Sequence, residues 1–303
     1  MKFFVDQLVL GLTNGAIYAL IALGYTLVYG IIELINFAHG DVFTVGGIIG
    51  LTLIGIFRLE QLSPALLVPA LILLFAATMT ITGFLGVAIE RLAYRPLRNA
   101  PRLAPLITAV GVSFVLEGIL FMVKGANQIS YPNLLPSGKI GGGAFQIGIT
   151  NLIIIIIALV LMVGLHQFIQ RTRIGRAMRA TAQDRDAARL MGIDINRTIA
   201  ITFFIGSALA AAGGIIFGFY YQSMVFDQGF EAGLFAFTAA VFGGIGNVIG
   251  ASLGGFVIGL ILTFVAGYWS GGLQWASVVV FSILILTLVF RPTGLLGMRV
   301  AER

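Results

Sequence analysis

From Leu8 to Phe290 the chain is written as apolar runs, most of them close to the length of a bilayer crossing, separated by short polar segments. In lipid every backbone N–H and C=O must find its partner within the protein, which leaves only helices or closed barrels. A crossing helix takes about 20 apolar residues and a barrel strand about 10. Unbroken runs such as LIIIIIALVLMVGL, residues 152–165, therefore call for helices. Only 10% of the 303 residues are charged, against about 25% in soluble domains. The expected fold is all-α and polytopic, a single transmembrane domain over residues 1–303 with no room for a water-soluble domain of ordinary size.

Seven runs qualify as crossings: Leu8–Tyr29, Pro64–Glu90, Leu106–Val123, Ile149–Ile169, Thr198–Tyr221, Ala251–Val265 and Trp275–Phe290. Eight or nine transmembrane helices are expected, depending on whether Val42–Phe57 and Phe230–Phe242 pass fully through. The first run is too long for a signal-peptide core and is read as a retained span. Gly11, Gly15 and Ala19, and later Gly206, Ala210, Gly214 and Gly218, place small residues every fourth position. Such stripes let a neighbouring helix approach closely.

Fourteen of the fifteen arginines fall in three segments beside apolar spans. Cytoplasmic loops carry that bias. It assigns loop 91–103, with Arg91, Arg95, Arg98 and Arg102, to the cytoplasm, together with loop 171–197 and a C-terminus bearing Arg299 and Arg303. Nine crossings then put the N-terminus outside, and eight put it inside. Loop 124–147, rich in Gly, Pro, Asn and Ser, is external and has room for a small hairpin. With arginine distributed in this way, the net charge of +6 indicates membrane lipid and not nucleic acid.

Polar groups interrupt the apolar sequence at two places. Glu33, Asn36, His39 and Asp41 fall within nine residues. Ionisable groups at membrane depth cost about 2.5–3.5 kcal/mol each unless they face a cavity or one another. The segment is either a discontinuous helix beside a pathway or a surface loop in which Asp41 caps the helix that follows. The second place is GGIGNVIG, with Gly243, Gly244, Gly246 and Asn247. Paired breaks in two halves point to a midplane pathway built on an internal inverted repeat. Asn14, Asn36 and Asn247 are candidates to flank that pathway; capping or bridging helices is the alternative role for each.

The chain needs an energy source. Its one Gly-Lys pair, Gly138-Lys139, lacks the glycine and the Ser/Thr of a P-loop. No metal-ligand spacing, catalytic cluster or cofactor motif stands out, and no cofactor is expected. Glu117 is the one acid in a continuous span, which is thin for an ion-coupled carrier or channel. A cytoplasmic helix gripped by a motor protein is the remaining route. In GRAMRATAQDRDAARLMGID, Asp184 or Asp186 can cap a short helix, and Ala187 and Ala188 keep its surface small. Leu190 and Met191 offer an apolar anchor, and Gly192 allows a left-handed turn. An amphipathic helix lying on anionic lipid is the competing reading.

Asp186-Ala187-Ala188 followed by Gly192 resembles the EAAxxxG loop of ABC importer permeases, with aspartate in place of glutamate. NGAIYALIALGYTLVYGIIELINFAHGDVF, IERLAYRPLR, AVFGGIGNVIGASLGG and FRPTGLLG extend the likeness to nearly the full length. The chain is similar to the LivH-type permeases of high-affinity branched-chain amino acid ABC importers. The resemblance implies a multi-pass permease of the bacterial inner membrane. It implies as partners a second homologous permease subunit, two ABC ATPase subunits and an extracytoplasmic binding protein that delivers Leu, Ile or Val. Related architectures serve urea and short amides. The family's ATPase-coupling role maps onto Asp186, Ala187, Ala188, Leu190, Met191 and Gly192; Asp186, one methylene shorter than the usual glutamate, weakens any contact that carboxylate makes.

Overall fold

The computed structural model describes residues 2–98, 100–101, 103–142 and 145–297. Arg102, Arg299 and Arg303 of the sequence reading lie outside the described residues. The helices are α1 (Lys2–Ile32), α2 (His39–Phe57), α3 (Pro64–Ile89), α4 (Leu103–Lys124), α5 (Ile149–Arg171), α6 (Arg173–Gln183), α7 (Arg185–Leu190), α8 (Ile195–Tyr221), α9 (Gln228–Gly243), α10 (Val248–Tyr268) and α11 (Gly272–Phe290). A π-helical turn, Glu90–Tyr94, and a 3-10 turn, Arg95–Leu97, extend α3. Among the described residues seven helices are long and apolar enough to cross a membrane: α1, α2, α3 with its extension, α4, α5, α8 and α10. The sixteen-residue α9 and the apolar stretch of α11 are shorter.

Helices α1 and α8 form the centre and are buried along most of their length. They cross antiparallel, with Gly24 against Gly206 and Ile17 and Ile21 against Gly213. The glycine stripes decide what lies beside them. Gly11, Gly15 and Ala19 of α1 meet Leu260, Phe256 and Gly255 of α10, and a Cβ on Gly15 would come within 2.7 Å of the Phe256 Cα. The α8 stripe serves three neighbours instead of one: Gly206 faces α1, Gly214 faces Phe43 and Gly47 of α2, and Gly218 faces the Tyr131 ring. The outer faces of α3, α4, α5 and α11 carry exposed Ile72, Leu73, Phe114, Val160 and Leu286, the surface a helix presents to lipid or to another subunit.

Two short breaks interrupt this bundle. After Ile32, Glu33 takes a left-handed φ of 54° and residues 33–38 are non-helical. Helix α2 then starts beside the last third of α1, with the His39 ring 4.7 Å from that of Tyr25. That level lies about 10 Å inside the end of α1, at 1.5 Å per residue. Of the two sequence readings, the discontinuous one describes this segment. Asp41 does not cap the helix, because α2 opens at His39 with Ala38 in the cap position and no side-chain cap.

The second break is at 222–227. Gln222 also has φ 54°, and the chain folds back so that Met224 packs on Gly47 before α9 begins with Gly229 against Gly40 and Thr44. The glycine-rich Gly243–Gly250, expected to be the second broken helix, is instead a turn at the end of the bundle. Gly244 and Gly246 take φ of 112° and 88° there, and the segment after α11 closes over it through Leu295 N to Phe242 O, 2.9 Å, and Leu296 N to Gly243 O, 3.0 Å.

The arginine-rich segments gather at one end of the bundle, where Arg98 meets Asn196 and Arg185 meets Ile31. At the second break β4 (Ser223–Met224) pairs with β1 (Ile129–Ser130), and toward the other end β2 (Lys139–Gly142) pairs with β3 (Phe145–Gly148) as the small hairpin.

Glycine as spacer gives opposite outcomes at two sites. Gly15→Val, forced against the backbone of α10, is expected to destabilise the protein by about 1–3 kcal/mol. Gly164→Ala on α5, with nothing within 4 Å of the new Cβ, is expected to stabilise it by about 0.5–1 kcal/mol. Thermal unfolding of the purified protein in detergent measures both.

Candidate functional site

Helices α6 and α7 form a bent pair at the arginine-rich end. Thr172 caps α6, its Oγ1 accepting from Gly175 N at 3.0 Å. Gly175 is required here, since a side chain would run into Ile169 O. Met178 and Thr181 turn inward while Arg173 and Arg176 face out. Asp184 ends α6 and starts α7, accepting from Asp186 N at 2.9 Å and Ala187 N at 3.0 Å. The cap is therefore Asp184, which leaves the exposed Asp186 carboxylate clear of that duty. Ala188 is buried, whereas Leu190 and Met191 are 88% and 82% exposed, an apolar pair held out from the bundle. Gly192 has φ 82° and no neighbour within 4 Å of a would-be Cβ, so its role here is conformational. Asp194 caps α8 directly afterwards through Arg197 N at 3.0 Å.

Behind α7 lies a cavity of about 610 Å³ lined by Glu33, Leu34, Tyr94, Arg98, Asp184, Arg185 and others. Asn36, buried in the re-entrant break, accepts from Tyr94 Oη at 2.7 Å. Arg98 donates to Asn196 Oδ1 at 2.6 Å and also to the buried Glu90. Burial draws the Arg98 guanidinium below its ordinary value, and the Glu90 carboxylate opposes that shift.

The remaining pathway candidates are dispersed. Asn14 bridges three helices, donating to Thr263 Oγ1 at 3.2 Å and accepting from Tyr221 Oη at 2.8 Å. Asn247 caps α10 through Ile249 N and Gly250 N and donates to Leu296 O at 2.8 Å. Gly243, Gly244 and Gly246 belong to the same end turn. His39 and Asp41 are buried at the start of α2, where Asp41 accepts a hydrogen bond from Ser113. The sequence marked Arg98 only as a loop charge and did not single out Tyr94, Asn196 or Ser113. Polar residues flanking apolar spans, or a lone hydroxyl within one, are too common to stand out.

Glu117, next to Asp41, lines a cavity of about 630 Å³ with Phe114, Val225, Asp227, Phe230 and Glu231. Three acids and an apolar wall thus come from α4, from the second break and from the first turn of α9, segments far apart in sequence.

A bundle of spanning-length helices with two non-helical breaks, and a small capped helix displayed at one end, is the architecture of a multi-pass membrane protein. Residues 7–288 match the family described as "Branched-chain amino acid transport system / permease component", and the chain belongs to it. It is 43% identical to the high-affinity branched-chain amino acid transport system permease protein BraD of Pseudomonas aeruginosa, over 99% of this chain and 98% of that one. It is 40% identical to the corresponding LivH proteins of Salmonella typhimurium and Escherichia coli K12, at the same coverage. No solved structure matches it.

The cap assignment separates two aspartates. Asp184→Ala is expected to cost α7 about 1 kcal/mol, seen as faster hydrogen exchange at the Asp186 and Ala187 amides. Asp186→Ala should leave those amides unchanged.

Proposed function

We propose that this chain is the membrane-spanning permease subunit of an ATP-driven importer and passes branched-chain amino acids from an extracytoplasmic binding protein to the cytoplasm. The observation that carries the reading is α7: a capped single-turn helix that displays Leu190 and Met191 to solvent in a chain 43% identical over its length to a branched-chain amino acid permease. An exposed apolar pair on a rigid mount is what a partner needs to grip. In this reading two ATPase subunits dock on α7 of this chain and of a second homologous permease, and Asp186, Ala187, Leu190 and Met191 form the contact. Ala188 anchors α7 to the bundle and Gly192 sets the angle at which it is presented.

The arginine-rich end then faces the cytoplasm, together with the C-terminus, and the hairpin end meets the binding protein. With α1 running toward that cytoplasmic end, the N-terminus lies outside. Substrate passes where continuous helix is absent, beside the breaks at 33–38 and 222–227. Non-helical backbone is tolerated at such depth when buried in protein or lining a cavity, and Asn36, His39 and Asp41 sit at that level. An inverted repeat relates α1, its break and α2 to α8, its break and α9. Support for it comes from the antiparallel crossing of α1 and α8, the left-handed Glu33 and Gln222 at the two helix ends, and six-residue breaks in both halves.

Leu190→Asp alters an exposed side chain and should leave insertion intact, yet lower ATPase co-purification and uptake about tenfold or more, as expected for loss of a central apolar anchor. Gly192→Val should abolish uptake and binding-protein-stimulated ATP hydrolysis in inserted protein. Wild-type transport by both variants would remove the docking role. A cognate binding protein that ignores leucine, isoleucine and valine but retains urea would overturn the substrate assignment.

A further inference from the structure

Two tethers run from the surroundings of α7 to the break at 33–38. The first is direct. Arg185, the opening residue of α7, donates from Nη2 to Ile31 O at 2.7 Å, two residues before the left-handed Glu33.

The second passes through the end of α3. Asn196, in the first turn of α8 and four residues past Gly192, accepts from Arg98 Nη1 at 2.6 Å. Nη2 of the same guanidinium holds Glu90 Oε1, and Arg95 Nε approaches that oxygen at 3.4 Å. Glu90 is fully buried and begins the π-turn; Tyr94, also buried, ends it and donates to Asn36 Oδ1 at 2.7 Å, midway along the break. π-Turns are rare insertions in helices and concentrate at functional sites. This one is clamped at its first residue by arginine and at its last by Asn36.

We propose that Asn196, Arg98, Glu90, Tyr94 and Asn36 form a linkage that carries displacement of α7 to the re-entrant break, with Arg185 as a second strut, so that ATPase closure moves segment 33–38. These are positioning residues and need no contact with substrate. The joints at Glu90 and at Tyr94–Asn36 are stiff, because these side chains are buried and letting go leaves a charged or polar group unpaired away from water, while the exposed Arg98–Asn196 contact is held by a charged donor. The moving part is the break itself. The helical ladder ends with Glu33 N on Tyr29 O at 2.8 Å and resumes with His39 N on Asn36 O at 3.0 Å, and the segment between turns on a non-glycine residue in a left-handed conformation that such residues hold only under constraint. The cavity of about 610 Å³ between α7 and the break gives the displacement room.

The inference rests on α7 being the ATPase dock, and the experiment keeps the two apart. The chain has no cysteine, so Leu34→Cys places a single label site on the break, facing that cavity. In the assembled importer in proteoliposomes, labelling of this cysteine by a water-soluble maleimide is expected to differ between nucleotide-free and ATP-bound states. Adding Tyr94→Phe is expected to abolish that difference and to lower uptake about tenfold, the size of one lost buried hydrogen bond. ATPase co-purification and binding-protein-stimulated hydrolysis should stay at the unmutated level. Arg98→Gln should give the same uncoupled signature, and Tyr94→Phe combined with Asn36→Ala should be no worse than Asn36→Ala alone, as for members of one pair. A labelling difference that survives both Tyr94→Phe and Arg98→Gln, or additive losses in the double variant, would overturn the linkage while leaving the docking reading standing. If Leu190→Asp and Gly192→Val leave co-purification and coupling intact, it is the docking reading that fails.

Discussion

Everything in this fold depends on backbone meeting backbone around α1. Gly11 and Gly15 against α10, Gly24 against α8, and Gly40, Gly46 and Gly47 of α2 against α9 and α8 remove the side-chain layer that normally separates helices. In a bilayer apolar side chains gain little by leaving lipid for protein, so association rests on close van der Waals contact. Larger residues at these points would hold the helices apart. Buried polar groups such as Asn36 and Asp41 would then lose the neighbours that shield and satisfy them.

That close core is what permits the two breaks. A chain that stops being helical inside a membrane leaves backbone groups without intrahelical partners. Here Asn36 is met by Tyr94, the start of α2 is wedged between Gly24 and Gly229, and Met224 is seated on Gly47. The polar residues at the breaks are accordingly answered by residues distant in sequence: Asn36 by α3's extension, Asp41 by Ser113 of α4. Tight packing in the centre and irregular backbone beside it are two sides of one arrangement.

At the arginine-rich end the same logic is reversed. Charge is plentiful, water is close, and structure comes from caps and turns in place of packing. Thr172, Asp184 and Asp194 each close a helix start in succession, which holds α6, α7 and the head of α8 in fixed relative angles. Leu190 and Met191 are left exposed by that geometry, and α7 is joined to the bundle through Ala188 and Arg185.

The sequence by itself determined the helical class, the spans to within a few residues, the arginine-rich segments, the αL turn at Gly192 and the family resemblance. These follow from composition, from length and from short-range pattern, and each is local. It also marked Glu33–Asp41 as an interruption, because ionisable groups are costly within an apolar span, and left open whether it is a broken helix or a surface loop. It offered Gly243–Gly250 as a second interruption, but glycine there is as suited to a turn at a helix end as to an interrupted helix, while SMVFDQ at 223–228 is too ordinary to announce the non-helical stretch found there. Only the tertiary structure decided that Asp184 and not Asp186 caps α7, that Asn14 and Asn247 bridge and cap, and that Tyr94 reaches Asn36 across 58 residues. A hydrogen-bond partner is chosen by where the packed helices bring two side chains together. In this chain glycines set that packing, and a glycine does not name its neighbour.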